Sequence, residues 1–189
     1  MPRIENEKFY KASLEKHGFT CRALHWNSER NQEIRFKILL SLLKEDITAC
    51  RIVDVGCGFG DMYGYMKQKP LRYTGIDVMD EMVKEAKNRT GCEILKLDAC
   101  TDELPHADYY LCSGAMNILQ KFETYQFIRN CYGASEKGFL FNILEGEDES
   151  LVYNYFKEKE IRELARQLGA KIEIRKGYLQ KDMSVGMYK

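Results

Sequence analysis

The sequence has no excess of charge in either sign: 189 residues carry 29 Lys plus Arg against 29 Asp plus Glu, a formal net charge of zero. Grip on a long nucleic acid or an anionic membrane comes from a basic surplus or patch, so neither partner is expected and a small molecule is. Nowhere do about 18 apolar residues run together, so no membrane-spanning helix is expected. The opening MPRIENEKFYKASLEKHG is charged every few residues and lacks the apolar stretch of a secretory signal. Cys21, Cys50, Cys57, Cys92, Cys100, Cys112 and Cys131 are odd in number and include no C-x-x-C pair. That fits neither a zinc knuckle nor a disulfide framework, and the thiols read as reduced, in a cytoplasm, with no metal site. Prolines are scarce (Pro2, Pro70, Pro105) and no repeat or low-complexity tract interrupts the chain, which has the length of a single domain.

What is present is a regular alternation. Apolar residues at Ile34, Ile38, Leu39, Leu42 and Leu43 form a helical stripe that Ser28 can cap, after a short helix near residues 5–16. Beyond it, β-branched or aromatic runs at 51–55, 72–77, 93–98, 108–113 and 138–143 alternate with helical segments, the pattern of parallel strands joined by crossover helices. The ending differs. A helix at 158–168 stops at Gly169, and strands near 171–175 and 183–188 are too close for a crossover, so they pair antiparallel. The fold class is α/β: a doubly wound, mostly parallel sheet of seven strands with a C-terminal antiparallel strand and helices on both faces.

The sharpest feature is VDVGCGFGD (53–61), where a strand runs directly into a helix. Such a turn lies at the carboxyl edge of an open α/β sheet, where ligands bind. Gly56, Gly58 and Gly60 let a ligand lie against the main chain. A dinucleotide fingerprint needs its third glycine at position 61, which is Asp61, a poor neighbour for a pyrophosphate. Cys57 reads as a small residue filling a tight turn.

Here the sequence resembles the class I S-adenosylmethionine-dependent methyltransferases, whose first motif reads like VDVGCGFG and whose sheet is Rossmann-like. The resemblance covers residues 29–189 as the methyltransferase domain and leaves 1–28 as a lid over the cofactor. It implies S-adenosylmethionine as cofactor and S-adenosylhomocysteine as product, held by Asp54, Gly56, Cys57, Gly58 and Gly60. Asp54 meets the methionine ammonium and bonds backbone N–H groups of the turn. Asp77, 77 − 60 = 17 residues past the last glycine, meets the ribose hydroxyls, with Val78 beside it. Asp98 accepts from the adenine amino group while the Ala99 N–H meets a ring nitrogen. Ser113 stands at the fourth motif, and Arg35 holds the methionine carboxylate or an anionic substrate.

Methyl transfer from a sulfonium is an in-line displacement, to which a protein contributes proximity, alignment and exclusion of water. A base is needed only for a poorly ionised hydroxyl or a protonated amine. His25, beside Trp26 in the lid, is the expected base; His106, before the fourth strand, is expected at the opposite sheet edge. Tyr10, Trp26, Gly114, Asn117 and Asn142 are expected to bind the acceptor. SGAMN (113–117) replaces the NPPY- or DPPY-type tetrapeptide tied to amide or base nitrogens, EGEDE (145–149) reads as a solvated loop, and no recognition domain is inserted. The reading is methyl transfer to a small molecule, at oxygen, by a monomer or homodimer. The alternatives are a catalytically silent cofactor-binding protein of the same fold, an N-methyltransferase, and an NAD-dependent reductase.

Overall fold

The computed structural model describes residues 3–24, 28–147, 150 and 152–189. Along the chain come α1 (Arg3–His17), a 3-10 turn (Cys21–Leu24), α2 (Glu29–Ser41), β1 (Arg51–Val55), α3 (Asp61–Tyr65), β2 (Arg72–Asp77), α4 (Asp80–Thr90) and β3 (Glu93–Lys96). Then follow β4 (Ala107–Ser113), a 3-10 turn (Ala115–Ile118), α5 (Lys121–Ala134), β5 (Ser135–Glu145), β6 (Tyr155–Phe156), α6 (Glu158–Gln167), β7 (Lys171–Lys176) and β8 (Asp182–Tyr188). The strands form one sheet in the order β3-β2-β1-β4-β5-β8-β7. Only β8 runs against its neighbours, pairing antiparallel with both β5 and β7. The order reverses between β1 and β4, and the edge there is where α/β sheets bind ligands.

The expected seven strands are the path of this sheet, and an eighth is added. β6 pairs parallel with β5 through Leu144↔Tyr155 and Glu145↔Phe156. Two residues are too few to show a strand period in sequence. The helix after β1 is one turn long, shorter than the segment GDMYGYMKQ suggested, because Met66 is already extended at its C-cap.

Strand alternation builds two cores. On β4, Tyr109 and Leu111 face α2, α3 and α4 together with Ile52, Tyr73 and Leu140. Tyr110 and Cys112 face α5 and α6 with Phe139 and Phe141. Ser28 caps α2 as the sequence suggested, its hydroxyl accepting from the Asn31 N–H at 3.2 Å, a bond worth about 1 kcal/mol. α2 in turn packs on β4, β5 and β8, which brings its first turns to the carboxyl edge.

The N-terminal segment lies over that edge. Ala23 is buried with Phe59, Met79 and Met82, and Tyr10, Leu14 and Leu24 pack against this cluster. Arg89 of α4 donates to the Phe19 carbonyl at 2.7 Å and pairs with Asp61 at 3.2 Å, while the Phe19 and Phe59 rings meet edge-on at 5.5 Å. Among the described residues no helix is long and apolar enough to cross a membrane.

Candidate functional site

At the carboxyl edge of β1, β2 and β4 lies a cavity of about 380 Å³. Its floor is the glycine turn. Gly56 and Cys57 donate their N–H groups to the Ile76 carbonyl at 2.8 and 3.0 Å, which docks the turn onto the end of β2. Gly56 sits at φ +71°, and a Cβ there would stand 2.2 Å from Cβ of Ala115, so β1 and the turn after β4 approach as only glycine permits. Gly58, at φ +54°, meets the Leu24 side chain of the N-terminal segment. Cys57 is buried, and burial pushes its thiol up, consistent with a filler and not a nucleophile.

Two carboxyls flank this floor. Asp54 is buried and accepts the Tyr73 hydroxyl at 2.7 Å; burial pushes its carboxyl up to about 7 against that hydrogen bond, with Asp77 and Asp61 adding repulsion. Its observed partner is therefore a tyrosine, where backbone N–H groups of the turn were expected. The turn is held by Asp77 instead, whose carboxylate accepts from Gly58 N–H at 3.0 Å and Met79 N–H at 3.1 Å. Burial pushes Asp77 up to about 6, opposed by the N–H groups of Met79, Gly58 and Val78. Neither carboxyl has a neighbouring cation among these causes, so a ligand bringing positive charge or hydroxyl donors is favoured here.

One wall is apolar. Val78 is exposed although large and hydrophobic, and together with Leu97, Ala99, Leu119 and Phe127 it lines a slot in the cavity. Asp98 stands at the rim, where its carboxylate accepts from Cys100 N–H at 2.9 Å and its carbonyl accepts from Thr101 and Asp102. The other wall is the turn after β4: Ser113, Gly114 (φ +83°), Ala115 and Asn117. Asn117 is nine-tenths buried and its Oδ1 has no hydrogen-bond partner among the described residues. Asn154 clamps this turn, donating its N–H to the Asn117 carbonyl at 2.7 Å and its side chain to the Leu119 carbonyl.

Of the residues expected from sequence, Asp54, Gly56, Cys57, Gly58, Asp77, Val78, Asp98, Ala99, Ser113, Arg35, Tyr10, Gly114 and Asn117 all line the cavity. Gly60 does not; it begins α3 at φ +78°, packed against Thr90 and Ala86 of α4. Asn142 is also displaced from the expected position: it is fully buried behind the wall, with its amide 3.4 Å from the Ser113 hydroxyl. Arg35 lines the cavity with its Nε bonded to Asp182. His25, Trp26, Asp148 and Glu149 lie outside the described residues. His106 is exposed, 3.4 Å from Glu136 at the far edge of the sheet, as expected. Gln32, Tyr153 and Leu24 also line the site; Gln32 bonds Asp61 at 3.1 Å. Tyr153 carried no local signal, because it reaches the cavity from the connection between β5 and β6. Asp61, held by Gln32 and Arg89 where α3 begins, puts a carboxylate where a dinucleotide site needs a pyrophosphate seat.

Comparison with known proteins agrees with this geometry. Residues 52–138 match a family model described as a methyltransferase domain. The chain is similar to magnesium protoporphyrin IX methyltransferase from Synechocystis PCC 6803 with bound S-adenosylhomocysteine, at 12% identity and a TM-score of 0.70, covering 85% of this chain and 83% of that one. It is similar to an S-adenosylmethionine-dependent methyltransferase from Clostridium acetobutylicum ATCC 824, at 12% identity and TM-score 0.69, covering 95% and 98%. A third similar structure, a possible histamine N-methyltransferase from Thermotoga maritima, shares 18% identity at TM-score 0.63, over 85% and 90%. No curated protein matches the chain in sequence. The family match contains the glycine turn, Asp77, Asp98 and the turn after β4, so residues 52–138 are a methyltransferase domain, and the chain as a whole shares the fold of S-adenosylmethionine-dependent methyltransferases.

Proposed function

We propose that the protein transfers a methyl group from S-adenosylmethionine to a small-molecule acceptor, at oxygen. The observation that carries this reading is the pairing, in one cavity, of two cation-seeking carboxyls with an apolar wall on which Val78 is exposed. Asp54 and Asp77 suit the ammonium and ribose hydroxyls of the cofactor, and Val78, Leu97 and Phe127 suit the two faces of a purine. Asp98 and Ala99 stand at the slot's rim, where the adenine amino edge is read. The cofactor supplies an activated methyl on a charged leaving group, so the residues of the chain bind, align and exclude water.

The acceptor side belongs to Tyr10, Asn117 and Tyr153, with residues 1–28 serving as the lid. Two further carboxylates, Asp108 and Glu145, are tied to Arg51 and Lys176 and do not line the cavity. His25 keeps the role of base in this reading. The test is incubation with methyl-labelled S-adenosylmethionine and a metabolite extract, followed by mass spectrometry. Labelled small-molecule ethers or esters together with S-adenosylhomocysteine support the proposal. Cofactor binding without any labelled product across extracts would instead establish the catalytically silent reading.

A further inference from the structure

The cavity wall holds five described acids, Glu7, Asp54, Asp61, Asp77 and Asp98, and one described cation, Arg35. Any ligand that enters with a carboxylate needs that cation. We propose that Asp182 and Tyr178, on the C-terminal β7–β8 hairpin, are positioning residues that hold Arg35 for the methionine carboxylate of S-adenosylmethionine. The inference rests on the cofactor reading above and adds to it residues that touch no ligand.

Arg35, on α2, donates from Nε to Oδ2 of Asp182, whose side chain is fully buried while that of Arg35 is 14% exposed. The other carboxylate oxygen, Oδ1, accepts the Tyr178 hydroxyl at 2.8 Å, and the same hydroxyl is 2.7 Å from Oγ of Ser184. Asp182 is the first residue of β8 and lies opposite Leu144, and Ser184 lies opposite Asn142, which is in register with Ser113 of the cavity wall. The anchor is thus built into three adjacent strands. An arginine side chain has much rotamer freedom to lose, and a bond at Nε fixes both the stem and the plane of the guanidinium before a ligand arrives. The buried carboxylate beside Arg35 also holds the guanidinium stationary at the edge of an otherwise acidic cavity.

The experiment is calorimetric binding of two probes, S-adenosylmethionine and decarboxylated S-adenosylmethionine, which differ in the carboxylate alone. Wild type is expected to prefer the carboxylated probe by on the order of 10- to 100-fold, the worth of hydrogen bonds between charged groups. Arg35→Met is expected to bring the preference close to one, and Asp182→Asn and Tyr178→Phe to lower it while leaving affinity for the decarboxylated probe within about twofold. Should Arg35→Met fail to fold, R35M/D182N, which leaves no unpaired buried charge, reads the same quantity; should Asp182→Asn fail to fold, Tyr178→Phe, which keeps the Arg35–Asp182 pair, reads the positioning role. If Asp182→Asn and Tyr178→Phe weaken both probes equally with the preference intact, the residues are merely structural and the proposal is overturned. If Arg35→Met keeps the wild-type preference, the proposal is overturned while the cofactor reading stands. Binding of neither probe to wild type would overturn the cofactor reading itself.

Discussion

The raised carboxyls of Asp54 and Asp77 make a quantitative prediction about pH. A sulfonium and ammonium arriving beside them stabilise the charged forms, so binding draws off the protons that the empty site retains. With Asp54 at about 7 and Asp77 at about 6, charging both costs about 3 kcal/mol at pH 5.5 and well under about 1 kcal/mol at pH 7. Cofactor affinity should therefore rise by about 2 kcal/mol, on the order of 10- to 100-fold, across that interval, in which the ligand's own amine stays protonated. In Asp54→Asn only the Asp77 contribution, about 1 kcal/mol, remains, and the rise should shrink to well under about 10-fold. Calorimetry in buffers of different ionisation enthalpy measures both the affinity and the protons released. A wild-type affinity that changes less than about threefold, or an Asp54→Asn slope equal to wild type, would refute the reasoning. For the ligand-free protein the sign is opposite. Both folded-state values lie above the ordinary 3.8, so the stability from these groups is full below about pH 4 and is lost as pH rises through 6 and 7. Asp54→Asn should accordingly raise the ligand-free Tm more at pH 8 than at pH 5.

Three substitutions separate binding from architecture. Asp77→Ala removes the acceptor for Gly58 and Met79 as well as for ribose, and should weaken cofactor binding by about 1.5 to 3 kcal/mol in a titration; unchanged affinity would sink the ribose assignment. Gly58→Val should abolish cofactor binding, since a β-branched residue at φ +54° strains the turn and meets Leu24, with the circular-dichroism spectrum of the sheet preserved, whereas global unfolding would show that the turn is chiefly architectural. Arg89→Ala unties the Phe19 carbonyl and Asp61 together, and should raise amide exchange across residues 18–24 and speed cofactor release; unaltered exchange there would remove Arg89 from the lid.

Much of the fold was legible because its signals are local. The strands 51–55 and 72–77 agree residue for residue with β1 and β2, each bounded by turn residues and an abrupt change of period. Ser28 could be read as a cap from its place before the stripe, and the glycine turn from its spacing. What escaped were features set by distant pairing. Tyr73 reaches Asp54 only once β1 and β2 are in register, and Asp182 reaches Arg35 across 147 positions of sequence. Asn142, at the end of a strand, looked like a site residue, but β8 covers its outer edge and leaves it behind Ser113. The two-residue β6 is created by pairing with β5 and had no pattern of its own to show.

The measurement that bears most directly on the central claim is a crystal structure with S-adenosylhomocysteine bound. The account predicts adenine against Val78 with its amino edge at Asp98, ribose hydroxyls within hydrogen-bond distance of Asp77, and the thioether sulfur facing Tyr10 and Asn117. Ligand density outside this cavity, or a ribose turned away from Asp77, would contradict it.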